Sequence, residues 1–446
     1  MAIKPPLDPT PLKVLQRYHQ AVLNTFHDGE TLVDAVQRRP GIYGPNPIAF
    51  LSILARRPTV TISDLEEALV NDRSLVRAGA FRGSMFLIAT EDYPLYFRAF
   101  HNMLSNGGMA KLKANGIDDH TLSVYAHRLR ESKFPMSKSS GELLDIILPV
   151  REKKPPSDIE RVIFRKLCDL GVIVRTTSKG WKGNQYNYAL VDNWLNGMML
   201  TKEQGDQART EVTRRYLATY GPARAEDIEW WTGFTPQEVR RSIDNLGREV
   251  LKFPVDGLDE SLIGLKETVD AIRKWQSEPG QIQFLPLWDA FILGWADRTR
   301  VVEAKYHPWV YDKAGNGAST IVEDGRVIGL WQFRDGDSIT LEFHVFESFA
   351  TRLNAIRLAA DDYASSLARV AGSTDIRVIE RALPPPLAER PPASFMWPLG
   401  KQPVFQQSGF SGLRNPMDRR GQNTYRGKYL DDDSLVRTQD KSGAAS

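Results

Sequence analysis

The chain has 446 residues, too many for one hydrophobic core, so we expect about two to four domains. Hydrophobic residues make up 41% and charged residues 25% of the sequence, proportions typical of a globular protein. With 58 basic and 55 acidic side chains the formal net charge is only +3, so any nucleic-acid-binding surface must be local. The single cysteine, Cys168, excludes an internal disulfide and a thiolate metal cluster.

Targeting and cofactor signals are missing from the sequence. The N-terminal stretch MAIKPPLDPTPLKVL resembles neither a signal peptide nor a transit peptide, and no window approaches the ~20 apolar residues of a membrane span. The seven histidines are scattered without metal-ligand spacing, and no GxxxxGK[ST] loop indicates nucleotide hydrolysis. We therefore expect a cytoplasmic monomer with no membrane, metal or cofactor partner.

The first predicted unit covers residues 11–125. Residues 11–38 suggest one or two helices, and IAFLSILARR predicts a strongly apolar one. TISDLEEALV predicts a further helix, in which Ser63 and Glu66 fit a capping box. Residues 85–88 then form a short apolar strand. Helices followed by a strand pair are the outline of a winged helix-turn-helix.

The same outline returns in two later units, residues 126–200 and residues 205–265. In the second, the helices GELLDIILPV and SDIERVIFRKLCDLG precede two β-rich runs around the basic tip KGWKGNQ. In the third, EVTRRYLATYG, RAEDIEWWTG and TPQEVRRSIDNLG precede the strand and turn of REVLKFPVDG. The sequence thus predicts three winged-helix units in tandem, similar in structure but not in sequence.

The residue pattern of the C-terminal third differs from that of the three units before it. Residues 275–385 contain β-prone runs separated by glycine and aspartate turns, of which EDGRV is a tight-turn signal. They predict a small antiparallel β-barrel or sheet closed by the helix ESFATRLNAIRLAADDYASSLARVAG. Residues 386–446 are rich in Pro, Gly, Ser, Asn and Gln and predict a flexible tail. The predicted fold class is therefore α+β.

Basic residues are concentrated in the second unit, where the last helix and the wing of a winged helix meet DNA. Trp181, at the tip of this wing, could stack on a base or wedge into a groove. An ordinary solvated charged face remains the alternative. The residues predicted to contact DNA are Arg82, Arg161, Arg165, Lys166, Arg175, Lys179, Trp181, Lys182, Arg240 and Arg241.

Five phrases, in family order over roughly residues 30–370, resemble the tandem winged-helix DNA glycosylases, the AlkZ-like group that excises alkylated purines and unhooks interstrand crosslinks. They are ARRPTVTISDLEEAL, RGSMFLIATEDYPL, RRYLATYGPARAEDIEWWTG, FLPLWDAFILGWADR and VEDGRVIGLW. The resemblance implies a C-shaped molecule, three winged helices followed by a β-barrel, that grips duplex DNA. Alkylated or crosslinked double-stranded DNA is the partner it implies.

The family's water-holding motif, Gln-x-Gln or Gln-x-Asp, falls on Ile42 and Gly44, and neither residue can hold a water. A family histidine falls on Phe86, which also cannot form a hydrogen bond. A register shifted by one or two residues brings Tyr43 or Asn46 forward instead. Because the enzymes of this family mainly position water and stabilise an oxocarbenium-like state, these two are the candidate catalytic residues.

The chain is therefore predicted to be a DNA-binding protein related to the DNA repair glycosylases, with its own cleavage of the N-glycosidic bond left open. A DNA-binding regulator or damage sensor without bond-breaking activity is the alternative, and a protein-interaction scaffold is a third possibility. Asp289, Asp297 and Arg298 also match family phrases, and we expect them to form structural ion pairs.

Overall fold

A computed structural model describes most of the chain between residues 10 and 387. The gaps within this range are residues 28, 135–136, 150–155, 179, 184, 199, 259–260, 277–280, 313–314 and 336–337. The predicted tail therefore lies almost entirely outside the described residues, and so does Lys179 of the predicted DNA-binding set.

Helices and strands are interspersed along the chain, which confirms the predicted α+β class. The α-helices are α1 (Leu12–Leu23), α2 (Leu32–Gln37), α3 (Ile48–Leu54), α4 (Ile62–Glu66), α5 (Tyr93–Asn106), α6 (Met109–Lys113), α7 (Asp119–Glu131), α8 (Ser140–Ile147), α9 (Asp158–Asp169), α10 (Val191–Trp194), α11 (Gly205–Tyr220), α12 (Ala225–Thr232), α13 (Pro236–Leu246), α14 (Lys266–Lys274), α15 (Ala290–Leu293), α16 (His307–Val310) and α17 (Leu353–Ala371). The strands are β1 (Thr10–Pro11), β2 (Ile42–Tyr43), β3 (Leu75–Gly79), β4 (Met85–Ala89), β5 (Lys138–Ser139), β6 (Ile173–Ser178), β7 (Tyr186–Leu190), β8 (Val250–Phe253), β9 (Val255–Asp256), β10 (Leu262–Leu265), β11 (Gln283–Leu285), β12 (Thr320–Glu323), β13 (Arg326–Asp335), β14 (Ile339–Val345) and β15 (Ile376–Glu380).

One order of elements recurs three times: a helix, a short strand, two helices and two antiparallel strands. The first copy runs α2, β2, α3, α4, β3, β4, and the second runs α7, β5, α8, α9, β6, β7. In the third copy, α11, α12, α13, β8 and β10, a single bridge between Ala223 and Ile263 replaces the short strand. In every copy the short strand or bridge pairs with the last strand, which also pairs with the strand before it.

The first two copies share one six-stranded sheet, in the order β2-β4-β3-β6-β7-β5. They join where β3 pairs with β6, with Arg77 opposite Arg175. α1, which the sequence analysis assigned to the first unit, instead packs Leu15 and Tyr18 in one apolar cluster with Phe253 of the third copy. The predicted domain boundaries themselves stay a prediction.

The C-terminal sheet has the order β11-β12-β13-β14-β15, with α17 packed against it. Tyr363 of α17 stacks on Phe284, with ring centroids 5.4 Å apart. Because β11 and β15 are its two edges, the described strands form an open sheet and not the barrel that was the other predicted option. β15 runs parallel to β14, which corrects the expectation of a purely antiparallel arrangement. A helical crossover, here α17, is what allows neighbouring strands to run parallel.

Helix starts follow the capping rules, although one boundary differs from the prediction. α4 is capped by Thr61, whose hydroxyl accepts from the backbone of Asp64 while the Asp64 carboxylate accepts from the Thr61 backbone. The predicted Ser63 cap is therefore wrong by two residues. Threonine and serine both satisfy this motif, so spacing alone did not distinguish the two starts. The predicted box at Thr235 and Glu238 is confirmed at the start of α13.

Candidate functional site

The segment on which the family's water-holding motif falls lies beside β4. Tyr43 of β2 is the direct partner of Phe86, and the Gly44 amide donates to the Met85 carbonyl at 2.9 Å. A Cβ on Gly44 would lie only 3.0 Å from the carbonyl carbon of Phe86 and 3.1 Å from the carbonyl oxygen of Met85. Because the two backbones approach so closely, a side chain at position 44 would require β4 to shift by a few tenths of an ångström.

Alternation along β2 turns Ile42 and Tyr43 to opposite faces. Ile42 is buried in the core, whereas Tyr43 lines a small cavity of about 10 Å³. The cavity residues are Tyr43, Arg82, Ser84, Phe86, Trp231, Trp288, Ala290 and Leu293. A volume of this size holds about one water molecule. The first copy, the third copy and the segment after β11 thus meet at one point, and Tyr43 is the predicted catalytic candidate that reaches it.

Aromatic rings fix Tyr43 in place. Its ring meets Phe86 edge-on at 5.9 Å between centroids and Trp288 at 5.4 Å. Burial raises the pKa of the Tyr43 phenol, and this outweighs the opposing effect of the nearby arginines Arg82 and Arg165. Tyr43 is therefore a neutral phenol at physiological pH, able to donate one hydrogen bond and to accept others.

Arg82 also faces this cavity, although the sequence predicted it to contact DNA from a surface. It has the left-handed backbone angles φ 51° and ψ 29° and is buried. Its guanidinium carbon lies 4.5 Å from the centroid of the Trp230 ring, and the guanidinium of Arg298 lies 4.6 Å from the same centroid. Burial and the neighbouring Arg298 lower the pKa of Arg82 to about 9, so it remains cationic at neutral pH.

Asn46, the second catalytic candidate, is buried in a hydrogen-bond network. Its side-chain amide donates to the Ser178 hydroxyl at 2.8 Å, and its side-chain oxygen accepts from Arg77 at 2.9 Å. Its backbone amide donates to the Tyr186 hydroxyl at 3.1 Å. Asn46 therefore connects the first copy to strands β6 and β7 of the second copy, and its amide is already engaged on both sides.

The acidic residues of the segment after β11 form the structural ion pairs that the sequence predicted. Asp289 is buried against Arg56, with the two closest contacts at 2.8 Å, and Asp297 pairs with Arg224 at 3.4 Å. Arg298 differs, because it donates to the Ile292 carbonyl at 3.0 Å and packs over aromatic rings.

Three of the predicted DNA contacts lie on α9 and occupy different environments. Arg161 is exposed and pairs with Asp158 at 3.0 Å. Arg165 is half-buried and donates to the Gly83 carbonyl at 2.6 Å, next to Arg82. Lys166 points inward, a correction to the surface location that the sequence suggested. The physical reason is that its ammonium donates to the carbonyls of Leu104 and Ser105 at the end of α5, where the negative end of the helix dipole stabilises a cation.

Trp181, which lies between β6 and β7 of the second copy, packs against the first copy. The ring of Trp181 lies 5.4 Å from that of Phe50 in α3, and the Lys182 ammonium lies 5.2 Å from the Trp181 centroid. Arg175 is half-buried among neighbours that include Tyr188 and Cys168. Trp181 thus packs against α3 in this structure.

The predicted pair on the third copy is at the surface. Arg240 and Arg241 are both exposed on α13, and Arg241 pairs with Asp206 at 2.7 Å. The structure brings together Tyr43, Arg82 and Arg165, whereas Arg240 and Arg241 lie on a separate copy of the repeat.

Sequence reasoning did not single out Ser84, Trp231 and Trp288, which line the cavity, or Trp230, which packs against Arg82. It named Arg298 only as an expected ion-pair residue. Trp288 and Arg298 lie in FLPLWDAFILGWADR and Trp230 lies in RAEDIEWWTG, phrases that carried the family resemblance. The phrases themselves were therefore the available signal. A larger open cavity of about 540 Å³ lies elsewhere, beside Arg130 and Asp192, which pair at 3.4 Å. We favour the smaller one because the predicted candidate Tyr43 lines it.

The described residues include neither a membrane-crossing helix nor a metal-binding cluster. None of the helices there has both the length and the apolar character needed to cross a membrane. Within the same residues, no cluster of three His, Cys, Asp or Glu side chains could hold a metal ion.

The family profile and the fold place the chain among the DNA repair glycosylases and their relatives. The chain is a member of the family described as DNA glycosylase AlkZ-like, whose profile matches residues 35–371. This range contains Tyr43, Arg82, Trp288 and Arg298, and the match confirms the resemblance drawn from the five phrases.

Comparisons with two proteins of Streptomyces sahachiroi support the same family assignment. The chain is 23% identical to its interstrand DNA cross-link repair glycosylase over 319 residues, which are 69% of this chain and 82% of that protein. The solved structure of the DNA glycosylase AlkZ from the same organism superposes with a TM-score of 0.66 at 18% identity. That superposition covers 84% of this chain and all of the other, and it shows a shared fold.

Proposed function

We propose that the chain binds damaged duplex DNA through three tandem winged-helix units arranged as a C, and that the damaged nucleotide lies beside the Tyr43 cavity, which has room for one water. The thrice-repeated order of elements supports the winged-helix assignment. Helix, short strand, two helices and a hairpin, with the short strand beside the last strand, is the arrangement of that motif.

The DNA-contacting surface of this proposal is basic and lies on the last helices of two units and one wing. It consists of the exposed or half-exposed residues Arg161, Arg165, Lys182, Arg240 and Arg241. Cations on a helix face or wing can neutralise phosphates. Lys166 is left out because its ammonium is bound to backbone carbonyls.

The proposed reaction is hydrolysis of an N-glycosidic bond, the activity of the family. The observation that carries it is that Tyr43 shares a cavity of about one water with Ser84 and Arg82. A neutral phenol and a hydroxyl can orient a water for attack on the sugar carbon. The relative from Streptomyces sahachiroi is an interstrand DNA cross-link repair glycosylase, which supports crosslinked or otherwise alkylated DNA as the substrate class.

A second candidate is a damage-binding protein that releases no base. Two observations favour it: the Asn46 amide is already engaged by Ser178 and Arg77, and the backbone of β4 crowds any side chain at position 44. On this proposal the first unit keeps the shape of the family's site without its water-holding pair.

Base release separates the two candidates. The purified chain is incubated with duplexes that carry N7-methylguanine, an interstrand crosslink or ethenoadenine, and free base and abasic sites are measured beside Tyr43→Phe. Released base that is reduced in Tyr43→Phe supports hydrolysis at this cavity. Binding without release supports the damage-binding candidate, and failure to bind any duplex contradicts both. The cytoplasmic location and monomeric state stay predictions.

A further inference from the structure

Trp231, near the end of α12 in the third copy, is a fully buried residue of the cavity wall. Its indole nitrogen is closed to solvent and has no hydrogen-bond partner among the described residues. Other indoles of the chain do have one: Trp230 and Trp295 each donate to a backbone carbonyl at 3.0 Å, and Trp331 does so at 2.8 Å. Leaving a buried N–H without an acceptor costs about 1–3 kcal/mol, so the Trp231 N–H requires an acceptor from elsewhere.

Aromatic neighbours hold the Trp231 ring in place. The ring centroids of Phe81 and Tyr220 lie 5.4 and 4.9 Å from that of Trp231. Those of Phe86 and Tyr216 lie at 5.8 and 6.5 Å. Because close-packed rings enclose the indole, it cannot turn to reach a distant acceptor. The N–H must therefore find its hydrogen bond where it lies, at the wall of the cavity.

The cavity supplies what the indole lacks. Its volume of about 10 Å³ holds one water, and a buried water is stable when roughly two to four polar groups bind it. Besides Trp231, the lining includes the hydroxyls of Tyr43 and Ser84 and the guanidinium of Arg82. A water there can accept from the Trp231 N–H and donate to a hydroxyl oxygen. Its partners thus come from the first and the third copies of the repeat.

We infer that Trp231 is a water-positioning residue, whose indole N–H holds in this cavity the water that attacks the sugar carbon of the damaged nucleotide. This inference rests on the proposed function, because it needs the damaged nucleotide beside the cavity. Ile42 and Gly44, on which the family's water-holding pair falls, have no polar side chain. The indole of the third copy provides a hydrogen-bond donor from another direction.

An indole suits this task because it donates one hydrogen bond and stays neutral. One lone pair of the water oxygen accepts from the N–H, and the other is left for the sugar carbon. As the water oxygen bonds to that carbon, the N-glycosidic bond breaks and its electron pair stays on the base. A cationic alkylated purine therefore leaves as a neutral molecule, and the proton that the water loses passes to solvent. Trp231 contributes by orienting the water.

A high-resolution crystal structure of the full chain tests the water site without any substitution. We expect one ordered water within about 3.2 Å of the Trp231 indole nitrogen and of the Tyr43 or Ser84 hydroxyl. A cavity without ordered water would overturn the inference. An indole N–H directed at the face of the Phe86 ring, a weak hydrogen bond that needs no water, would overturn it as well.

Base release from a duplex with N7-methylguanine tests the role of that water. Trp231→Phe removes the N–H and keeps an aromatic ring. At saturating protein, its single-turnover rate should fall at least about tenfold, the worth of one hydrogen bond, while its duplex affinity stays within about twofold of the wild type. Trp331→Phe is the matched control, because that indole is also buried but donates to the Leu285 carbonyl. It should keep both the rate and the affinity.

The outcomes separate this inference from the proposed function. Wild-type base release that is equally fast in folded Trp231→Phe overturns the role of Trp231 and leaves hydrolysis standing. Equal losses of rate in Trp231→Phe and Trp331→Phe also overturn it, since they assign the loss to packing. If the wild type binds the duplex but releases no base, hydrolysis and the inference both fall, and damaged-DNA binding stands. If Trp231→Phe does not fold, the crystal structure of the wild type decides.

Discussion

Asp289 accepts hydrogen bonds from both terminal nitrogens of Arg56, each at 2.8 Å, and both side chains are almost completely buried. The pair joins the residues just after α3, the helix that follows the Tyr43 segment, to the segment that carries Trp288. Ser52 adds a third hydrogen bond to the carboxylate at 2.8 Å. The ion pair therefore holds two walls of the cavity together.

Asp289→Asn should destabilise the fold by about 3–5 kcal/mol, because it leaves the buried guanidinium of Arg56 without a countercharge. Urea unfolding measures this change in the free energy of unfolding. Asp375→Asn, which breaks the exposed pair with Arg377, is the control and should change stability by less than about 1 kcal/mol. Equal losses of stability in the two variants would show that the buried pair stabilises the fold no more than the exposed pair does.

Asp169 predicts an unusual pH dependence of stability. Burial raises its pKa to about 6, despite the opposing effects of Arg165, Arg175 and Lys166. Between about pH 4 and pH 6 the folded chain therefore holds a proton that the unfolded chain has lost. The free energy of unfolding should fall as the pH rises through this window, by up to about 3 kcal/mol.

Asp169→Asn should flatten this dependence, since the amide does not ionise. Thermal or urea unfolding at a series of pH values is the measurement, with the exposed Asp361→Asn as the control. If the free energy of unfolding of the wild type falls no more than that of Asp169→Asn between about pH 4 and pH 6, the raised pKa of Asp169 is refuted.

Asn46→Ala distinguishes a structural from a catalytic role. The substitution removes one of the three acceptors of the buried Arg77, the others being the Gly44 and Thr176 carbonyls, and should cost about 1–3 kcal/mol of stability. If the role is structural, base release and damaged-DNA binding should fall only in proportion to the fraction of protein that is folded. A stable Asn46→Ala variant that has lost base release would instead identify Asn46 as catalytic.

Arg161→Ala combined with Lys182→Ala tests the proposed DNA surface. Loss of two phosphate contacts should weaken duplex binding and reduce the slope of log affinity against log salt by about 2. Titrations at several salt concentrations measure both quantities, with Arg352→Ala as a control on a different surface. An unchanged slope would remove Arg161 and Lys182 from the proposed interface.

The repeated pattern of helices and strands was predictable because apolar periodicity and turn residues act locally. What the sequence could not show is which copy each element joins. α1 follows its apolar face onto the third copy, and β15 becomes parallel because α17 carries the chain back across the sheet. Both outcomes depend on contacts between residues far apart in sequence.

The candidate site was predictable only in part. The family phrases led to the Tyr43 segment, and strand alternation then decides that Tyr43, and not Ile42, faces the cavity. Counting positions along the sequence cannot reveal that Lys166 turns inward to cap α5 or that Arg82 packs against Trp230. A pattern of lysines and arginines in the sequence shows where positive charge lies along the chain. Whether those side chains are buried depends on how segments far apart in sequence pack together.

The most direct test of the account is the affinity for a duplex with one tetrahydrofuran site relative to the same duplex intact, measured for the wild type and Tyr43→Phe at one salt concentration. We predict that the wild type prefers the damaged duplex by about tenfold or more. In Tyr43→Phe the ratio of the two affinities should be about fivefold smaller, because one hydrogen bond to the damaged site is lost. Its affinity for the intact duplex should not change. Equal wild-type affinity for both duplexes, or a full preference in Tyr43→Phe, would contradict the claim that the damaged nucleotide lies beside this cavity.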